Sequence, residues 1–273
     1  MKTQQDLARK ALHGQNLFPM ESAATTQANE HRAALEPAGQ SLPISRTAAL
    51  VHVAHRFPLR ISPYRDPSAY LLSPARLLTR RADDFRQLRA HLNMRLAFSG
   101  ILLMVSARHA EGRSLAGLNL SIAFAQEFRR VVYLEADFRR PTLRTFFDVP
   151  ASKGMADLLR EPGPLGDLST CVLATDVAGL YLLPAGTRPG PPDLFESPRL
   201  PEVFAWLRSV GDWIIVDCPP LLSYPDALSL IGLVDGVVVV AQKGRTREED
   251  LEDLSGRLAH AHAHIVGTIF IER

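Results

Sequence analysis

Long apolar runs, a cysteine framework and a strong excess of charge of either sign are all missing from this sequence. No run of about 18 apolar residues occurs, so nothing in it is expected to span a bilayer. The opening stretch MKTQQDLARKALHGQNLFP lacks the apolar core of a secretory signal, and the chain is expected to be cytoplasmic. Two cysteines, Cys171 and Cys218, are too few for a disulfide framework or a cysteine-rich metal site. Cys218 follows an apolar run and reads as a small buried hydrophobe. A formal net charge of +2 is too small to make nucleic acid the main partner. What remains is a chain of 273 residues, 46% hydrophobic and 22% charged, able to bury one large core or two modest ones.

Composition divides the chain near residue 75. Residues 1–75 are rich in Ala, Pro, Gln, Ser and Thr and show no sustained apolar period, which predicts a poorly structured or partner-binding segment. A short apolar patch, Ala48 to Ala54, is a candidate strand or docking element, and prolines at 58, 63, 67 and 74 then resist helix. Residues 76–273 behave differently. ADDFRQLRAHLNMRLAF places Phe85, Leu88, Leu92 and Leu96 at helical spacing with charges between them. Beyond it, apolar runs at 101–105, 131–134, 180–183, 214–216, 237–240 and 265–271 alternate with helical stretches at 115–128, 143–147, 154–159, 200–209, 226–233 and 247–262. The runs are apolar throughout rather than alternating, as in strands buried on both faces. The pattern predicts an α/β fold: a doubly wound, mostly parallel sheet with helices on both faces.

In such sheets ligands sit at the carboxyl ends of the strands. The first strand runs into Ala107-Arg108-His109-Ala110-Glu111-Gly112-Arg113-Ser114 and then a helix from Leu115, the setting a phosphate loop requires. There, backbone N–H groups and the helix dipole hold phosphate, and Ser114 is placed to meet Mg²⁺. The match to G-x-x-x-x-G-K-[ST] is imperfect: Ala107 stands at the first Gly and Arg113 at the Lys. The second strand ends in Glu135-Ala136-Asp137-Phe138-Arg139-Arg140-Pro141, with two carboxylates on one side of an extended segment. A later run ends in Asp217-Cys218-Pro219-Pro220, a single carboxylate at a strand tip, as a Walker B element places one near Mg²⁺. Three such elements at successive strand ends point to a nucleotide site.

On these motifs residues 80–271 resemble the cytoplasmic domain of bacterial tyrosine kinases (BY-kinases), relatives of the MinD and ParA deviant Walker P-loop ATPases. His109-Ala110-Glu111-Gly112-Arg113-Ser114 resembles the family's Pro-Gly-Glu-Gly-Lys-Ser, and Glu135 to Pro141 its Asp-x-Asp-x-Arg-Arg-Pro. Asp217-Cys218-Pro219-Pro220, followed by Asp226-Ala227, matches its Walker B, and Leu183-Pro184-Ala185-Gly186 its Leu-Pro-Ala-Gly turn. Asp83-Asp84-Phe85-Arg86-Gln87-Leu88-Arg89 is similar to its Glu-x-x-Arg-x-x-Arg oligomerisation motif.

The resemblance implies ATP and Mg²⁺ as cofactors. It implies nucleotide contacts from Ala110, Glu111, Gly112, Arg113, Ser114 and Leu115, and metal contacts from Ser114, Glu135, Asp137 and Asp217. Arg113, Asp137 and Asp217 would be the catalytic groups. It further implies homo-oligomers through Asp83, Arg86 and Arg89, and a role in exopolysaccharide or capsule assembly. A separate membrane co-polymerase or activator would hold the chain at the inner face of the membrane.

Several positions depart from the family pattern. Arg113 is a broad planar fork where the family has a compact ammonium, so the exchange is not conservative. Ala107 and Ala110 replace glycines, which matters wherever φ must be positive. Glu135 is one methylene longer than Asp, moving its tip by about 1 Å. Arg108 falls on the loop position of the signature Lys of MinD-type proteins. Ile271 and Glu272 stand near the family's adenine-contacting Asn, and no Tyr follows Tyr224. Three readings stay open on this sequence: an active tyrosine kinase, a catalytically impaired scaffold on the same fold, and a MinD/ParA-like positioning ATPase. His260, His262 and His264 alternate, but without an H-E-x-x-H pattern or a carboxylate partner they are not expected to bind metal.

Overall fold

The computed structural model describes residues 80–127, 129–150, 152–161, 168–187 and 192–272. The expected segment 1–75, with its apolar patch at 48–54, lies outside the described residues.

Helix α1 (Arg80–Arg95) comes first. Strand β1 (Gly100–Ser106), helix α2 (Arg113–Ala125) and strand β2 (Val131–Glu135) make the first crossover unit. Two short helices follow, α3 (Leu143–Phe146) and α4 (Met155–Arg160), then β3 (Leu173–Ala174) and β4 (Leu180–Leu183). Helix α5 (Leu200–Val210), β5 (Trp213–Asp217), β6 (Gly236–Gln242), α6 (Glu248–His260) and β7 (Ile265–Ile271) complete the order. The stretch Pro225–Leu233, read from sequence as an ordinary helix, winds as a 3₁₀ helix. It begins on a proline, which is tolerated in a first turn because its missing N–H has no partner to lose there.

The sheet has seven strands in the order β3-β4-β2-β5-β1-β6-β7. Every pairing is parallel except β3 with β4. That antiparallel edge was not legible, because a strand of two residues carries no period. The doubly wound prediction otherwise holds.

Each strand feeds two cores, because successive side chains point to opposite faces. Ile101, Leu103 and Val105 of β1 join Val132, Ile214, Val216, Phe204, Leu207 and Leu258 on one side. Leu102 and Met104 join Tyr133, Ile215, Val238, Phe124 and Leu92 on the other. Phe124 of α2 stacks on Trp213 of β5 with ring centroids 4.2 Å apart. Gly117 lets α2 lie close on the sheet: a Cβ there would stand 3.2 Å from both Met104 Cγ and Tyr133 Cε2. No helix among the described residues is long and apolar enough to cross a membrane.

α1 seals one face of this arrangement with Ala82 and Leu92. Arg89 turns inward, donating from Nη1 to the Ala123 carbonyl at 2.7 Å and pairing with Glu127 at 2.8 Å. Arg86 pairs with Asp83 one turn away, at 2.6 Å. Two of the residues assigned from sequence to an oligomer contact thus meet each other, and the third holds α1 to the end of α2.

Candidate functional site

The order of the sheet decides which strand tips meet. β5 lies between β1 and β2, and Glu135 is in register with Asp217. The exits of three adjacent strands therefore open together: the loop 107–112 after β1, Ala136-Asp137 after β2, and Asp217 at the end of β5.

The loop enters α2 through Gly112, whose φ of 83° and ψ of 10° are left-handed and whose position offers no side-chain cap. The first N–H groups of α2 gain no cap there from a side chain, as an anion-binding helix start requires. A Cβ on Gly112 would lie 2.4 Å from Ile271 Cδ1, so the tip of β7 rests directly on the loop. Ala110 is also left-handed, at φ 59°, whereas Ala107 is not among the described residues of positive φ. Of the two alanines standing for glycines, Ala110 alone occupies a position that calls for one.

Glu111 is buried and works inside the loop. Its Oε2 accepts from the Arg108 N–H at 2.9 Å, and its Oε1 accepts from Thr246 Oγ at 2.7 Å. Arg108 lies exposed on the loop and pairs through Nε and Nη2 with Asp250 Oδ1, at 2.9 and 2.7 Å. Thr246 and Asp250 were missed by sequence reasoning. Their only signal was polarity just past the tip of an apolar strand.

Arg113 lies on the first turn of α2 and is buried. Its Nε donates to Asp217 Oδ1 at 2.5 Å, its Nη2 to Asp137 Oδ2 at 3.0 Å, and its Nη1 to Ser106 Oγ at 3.4 Å. Burial works against the guanidinium charge, but the facing carboxylates of Asp217 and Asp137 outweigh it and hold the proton more firmly than usual. The three residues expected to be catalytic are thus brought together, in one ion-paired cluster. Asp137 Oδ1 also accepts from the Arg140 N–H at 3.1 Å. Asp217 Oδ2 is buried without a hydrogen-bond partner. Beneath them lies Tyr133, whose phenol donates to the Ser114 carbonyl at 3.4 Å. Burial first, and then the charges of Asp217 and Glu135, push that phenol well above its usual pKa.

Glu135 has a different occupation. Its Oε1 accepts from the N–H groups of Thr142 and Leu143, at the head of α3, and its Oε2 from the Ala185 N–H at 3.1 Å. The Leu183-to-Gly186 turn in its own turn receives the head of α4, through Met155 N to Pro184 O and Ala156 N to Ala185 O. Leu115 packs partly buried against the α1-side core. His109 meets Tyr224 edge-on at 5.5 Å, and the Arg139 guanidinium lies 4.2 Å over the same ring. The Cys218 thiol donates to the Met104 carbonyl at 3.4 Å, and burial pushes it up to about 12. It is inert at neutral pH.

Mg²⁺ takes six oxygens at about 2.1 Å in a nearly octahedral array. Of the carboxylates assigned to it from sequence, Glu135 has both oxygens engaged by backbone amides and Asp137 has both engaged by Arg113 and Arg140. Asp217 keeps one oxygen open. No group of three or more His, Cys, Asp or Glu residues suited to a metal occurs among the described residues, the alternating histidines included. With Arg113 paired to Asp137 and Asp217, these carboxylates suit a divalent cation poorly, since it or its bridging water would compete with the guanidinium for them.

No family model matches the chain. Tyrosine-protein kinase YwqD of Bacillus subtilis (strain 168) is 30% identical over 62% of this chain and 70% of its own length. Tyrosine-protein kinase CpsD of Streptococcus agalactiae is 26% identical over 72% of this chain and 86% of its own. Among solved structures, the kinase domain of Escherichia coli tyrosine kinase ETK superposes with a TM-score of 0.64 at 25% identity, covering 74% of this chain and 82% of that one. The fold is thus the nucleotide-binding one of P-loop kinases and ATPases. With the strand-tip motifs in the same order along the sequence, the chain belongs to the bacterial tyrosine-protein kinase family.

Proposed function

We propose that the chain binds ATP at the loop 107–115 and acts as a tyrosine-kinase-like component of bacterial exopolysaccharide or capsule assembly. It would be docked at the inner face of the membrane through a separate co-polymerase. The observation that carries this reading is the left-handed turn at Gly112 leading into the open head of α2, beside the carboxylates of Asp137 and Asp217. Uncapped N–H groups at a helix head suit a polyphosphate, and neighbouring strand-tip carboxylates belong to phosphoryl-transfer sites. The kinases among its relatives support the phosphoryl-transfer setting.

One observation favours a second reading, a catalytically impaired scaffold. The cation at position 113 is spent on Asp137 and Asp217 rather than aimed into the loop. Calorimetric titration with ATP, followed by a phosphotyrosine assay with the candidate membrane partner, separates the two. Binding with phosphotyrosine formed supports the kinase, and binding without transfer supports the scaffold. Absence of binding at millimolar ATP removes the nucleotide from both.

A further inference from the structure

We propose that the Arg113 guanidinium is the resident cation of this site, standing in for a divalent metal, so that nucleotide binds with no dependence on Mg²⁺. The inference rests on reading 107–115 as the phosphate loop and adds to it the ionic form of the ligand.

The argument begins with the sheet. Because β2 and β5 are neighbours with Glu135 opposite Asp217, the chain leaving β2 carries Asp137 past the tip of β5, where one guanidinium reaches both aspartates. Two buried carboxylates side by side need a counter-charge. Position 113, on the first turn of the helix leaving β1, faces both. A lysine ammonium is a point charge, whereas a guanidinium is a planar fork that presents separate N–H groups to separate acceptors. Arg113 uses that difference: one nitrogen goes to each aspartate and the third to Ser106.

Three properties make this a standing replacement rather than a passing contact. The guanidinium cannot be lost by deprotonation at any physiological pH. It is tethered, so its effective concentration at the carboxylates far exceeds that of a free metal ion. It also competes for the ligand set: Arg113 takes one oxygen each of Asp137 and Asp217, while the Arg140 N–H takes the other oxygen of Asp137 and three backbone amides hold Glu135. A divalent ion at such a site keeps several waters and takes one or two carboxylates beside the phosphates, so to gain them here it must displace a fixed guanidinium. One positive charge against two negative ones leaves the cluster short of full neutralisation, so nucleotide affinity is expected to be modest.

The test uses the full chain, with Arg113→Lys and Arg113→Gln, in two arms. In the first, Mn²⁺ alone is titrated and followed by electron paramagnetic resonance, since Mn²⁺ shares the oxygen preference of Mg²⁺. The variants are expected to bind Mn²⁺ at least about tenfold more tightly than the wild type. Equal affinity in all three overturns the proposal, and this arm needs no nucleotide. In the second, a fluorescent ATP analogue is titrated in excess Mg²⁺ and in EDTA. The wild type is expected to differ by less than about threefold between the two, and Arg113→Lys by at least about tenfold. A tenfold gain with Mg²⁺ in the wild type overturns the proposal. Both variants enter both arms, so one that fails to fold leaves the other. A wild type that binds no nucleotide in either buffer defeats the proposed function, and the Mn²⁺ arm then decides the cation question alone.

Discussion

Glu135, at the tip of β2, accepts a hydrogen bond from the backbone N–H of Ala185 just beyond the tip of β4, at 3.1 Å. The same carboxylate holds the head of α3 through Thr142 and Leu143. A side chain read from sequence as a metal ligand thus ties three loops together.

That occupation predicts a pH dependence of stability. Burial lifts the Glu135 carboxyl to about 7, against an ordinary 4.5, although the amides of Leu143, Ala185 and Thr142 pull it down. A value raised in the folded state means that the folded chain holds this proton more tightly than the unfolded one. Its contribution is complete below the unfolded value and is lost as pH rises through about 7. The amount is roughly 3 kcal/mol between these limits. Urea unfolding at pH 5 and pH 8 should show the wild type losing stability over this window, with the slope much reduced in Glu135→Gln. A wild type and variant with parallel pH profiles would rule the carboxyl out as the source.

Gly112 and Ile271 make a second prediction. Gly112→Ala forces a side chain into left-handed backbone and drives its Cβ to 2.4 Å from Ile271 Cδ1. The backbone share is about 1–2 kcal/mol, and the steric share is smaller because Cδ1 is the end of a flexible, half-buried side chain that can turn aside. In a double-mutant cycle with Ile271→Ala the steric share is recovered and the backbone share is not. Strict additivity of the two substitutions would show that β7 does not press on the loop.

Much of this architecture was legible in sequence, and the parts that were not share a physical cause. The parallel strands were readable because Ile101 to Val105, Ile214 to Val216 and Val237 to Val240 are buried on both faces and so are apolar without interruption. The loop and strand-tip motifs were readable because each follows such a run directly. What a side chain bonds to across the fold was not readable. Arg113 could be recognised as unlike lysine, yet its pairing with residues 24 and 104 positions away depends on the strand order, which no local pattern encodes. The same holds for Glu111 with Thr246 and for Arg108 with Asp250.

Ala110 offers the opposite experiment, a substitution that should help. It holds φ at 59°, a region where an L side chain costs about 1–2 kcal/mol and glycine very little. Glycine also has more freedom to lose on folding, so Ala110→Gly should stabilise by a net of about 0.5–1 kcal/mol. A rise in the urea midpoint with an unchanged slope is the expected result. A fall would mean that the methyl group makes contacts worth more than the strain.

The buried cluster of Arg113, Asp137 and Asp217 predicts a strongly non-additive series. Arg113→Met leaves two carboxylates buried side by side without their counter-charge, which costs about 3–5 kcal/mol. Adding Asp137→Asn and Asp217→Asn to the same chain removes the repulsion and the uncompensated charge. Such neutral replacement of a whole buried ion cluster is often harmless, so the triple variant should regain most of the lost stability. The two Asp→Asn changes made without Arg113→Met should destabilise, because the guanidinium is then the buried charge left alone. If the triple variant is no more stable than Arg113→Met, charge compensation is not what Arg113 supplies, and its place between the two aspartates is a matter of packing.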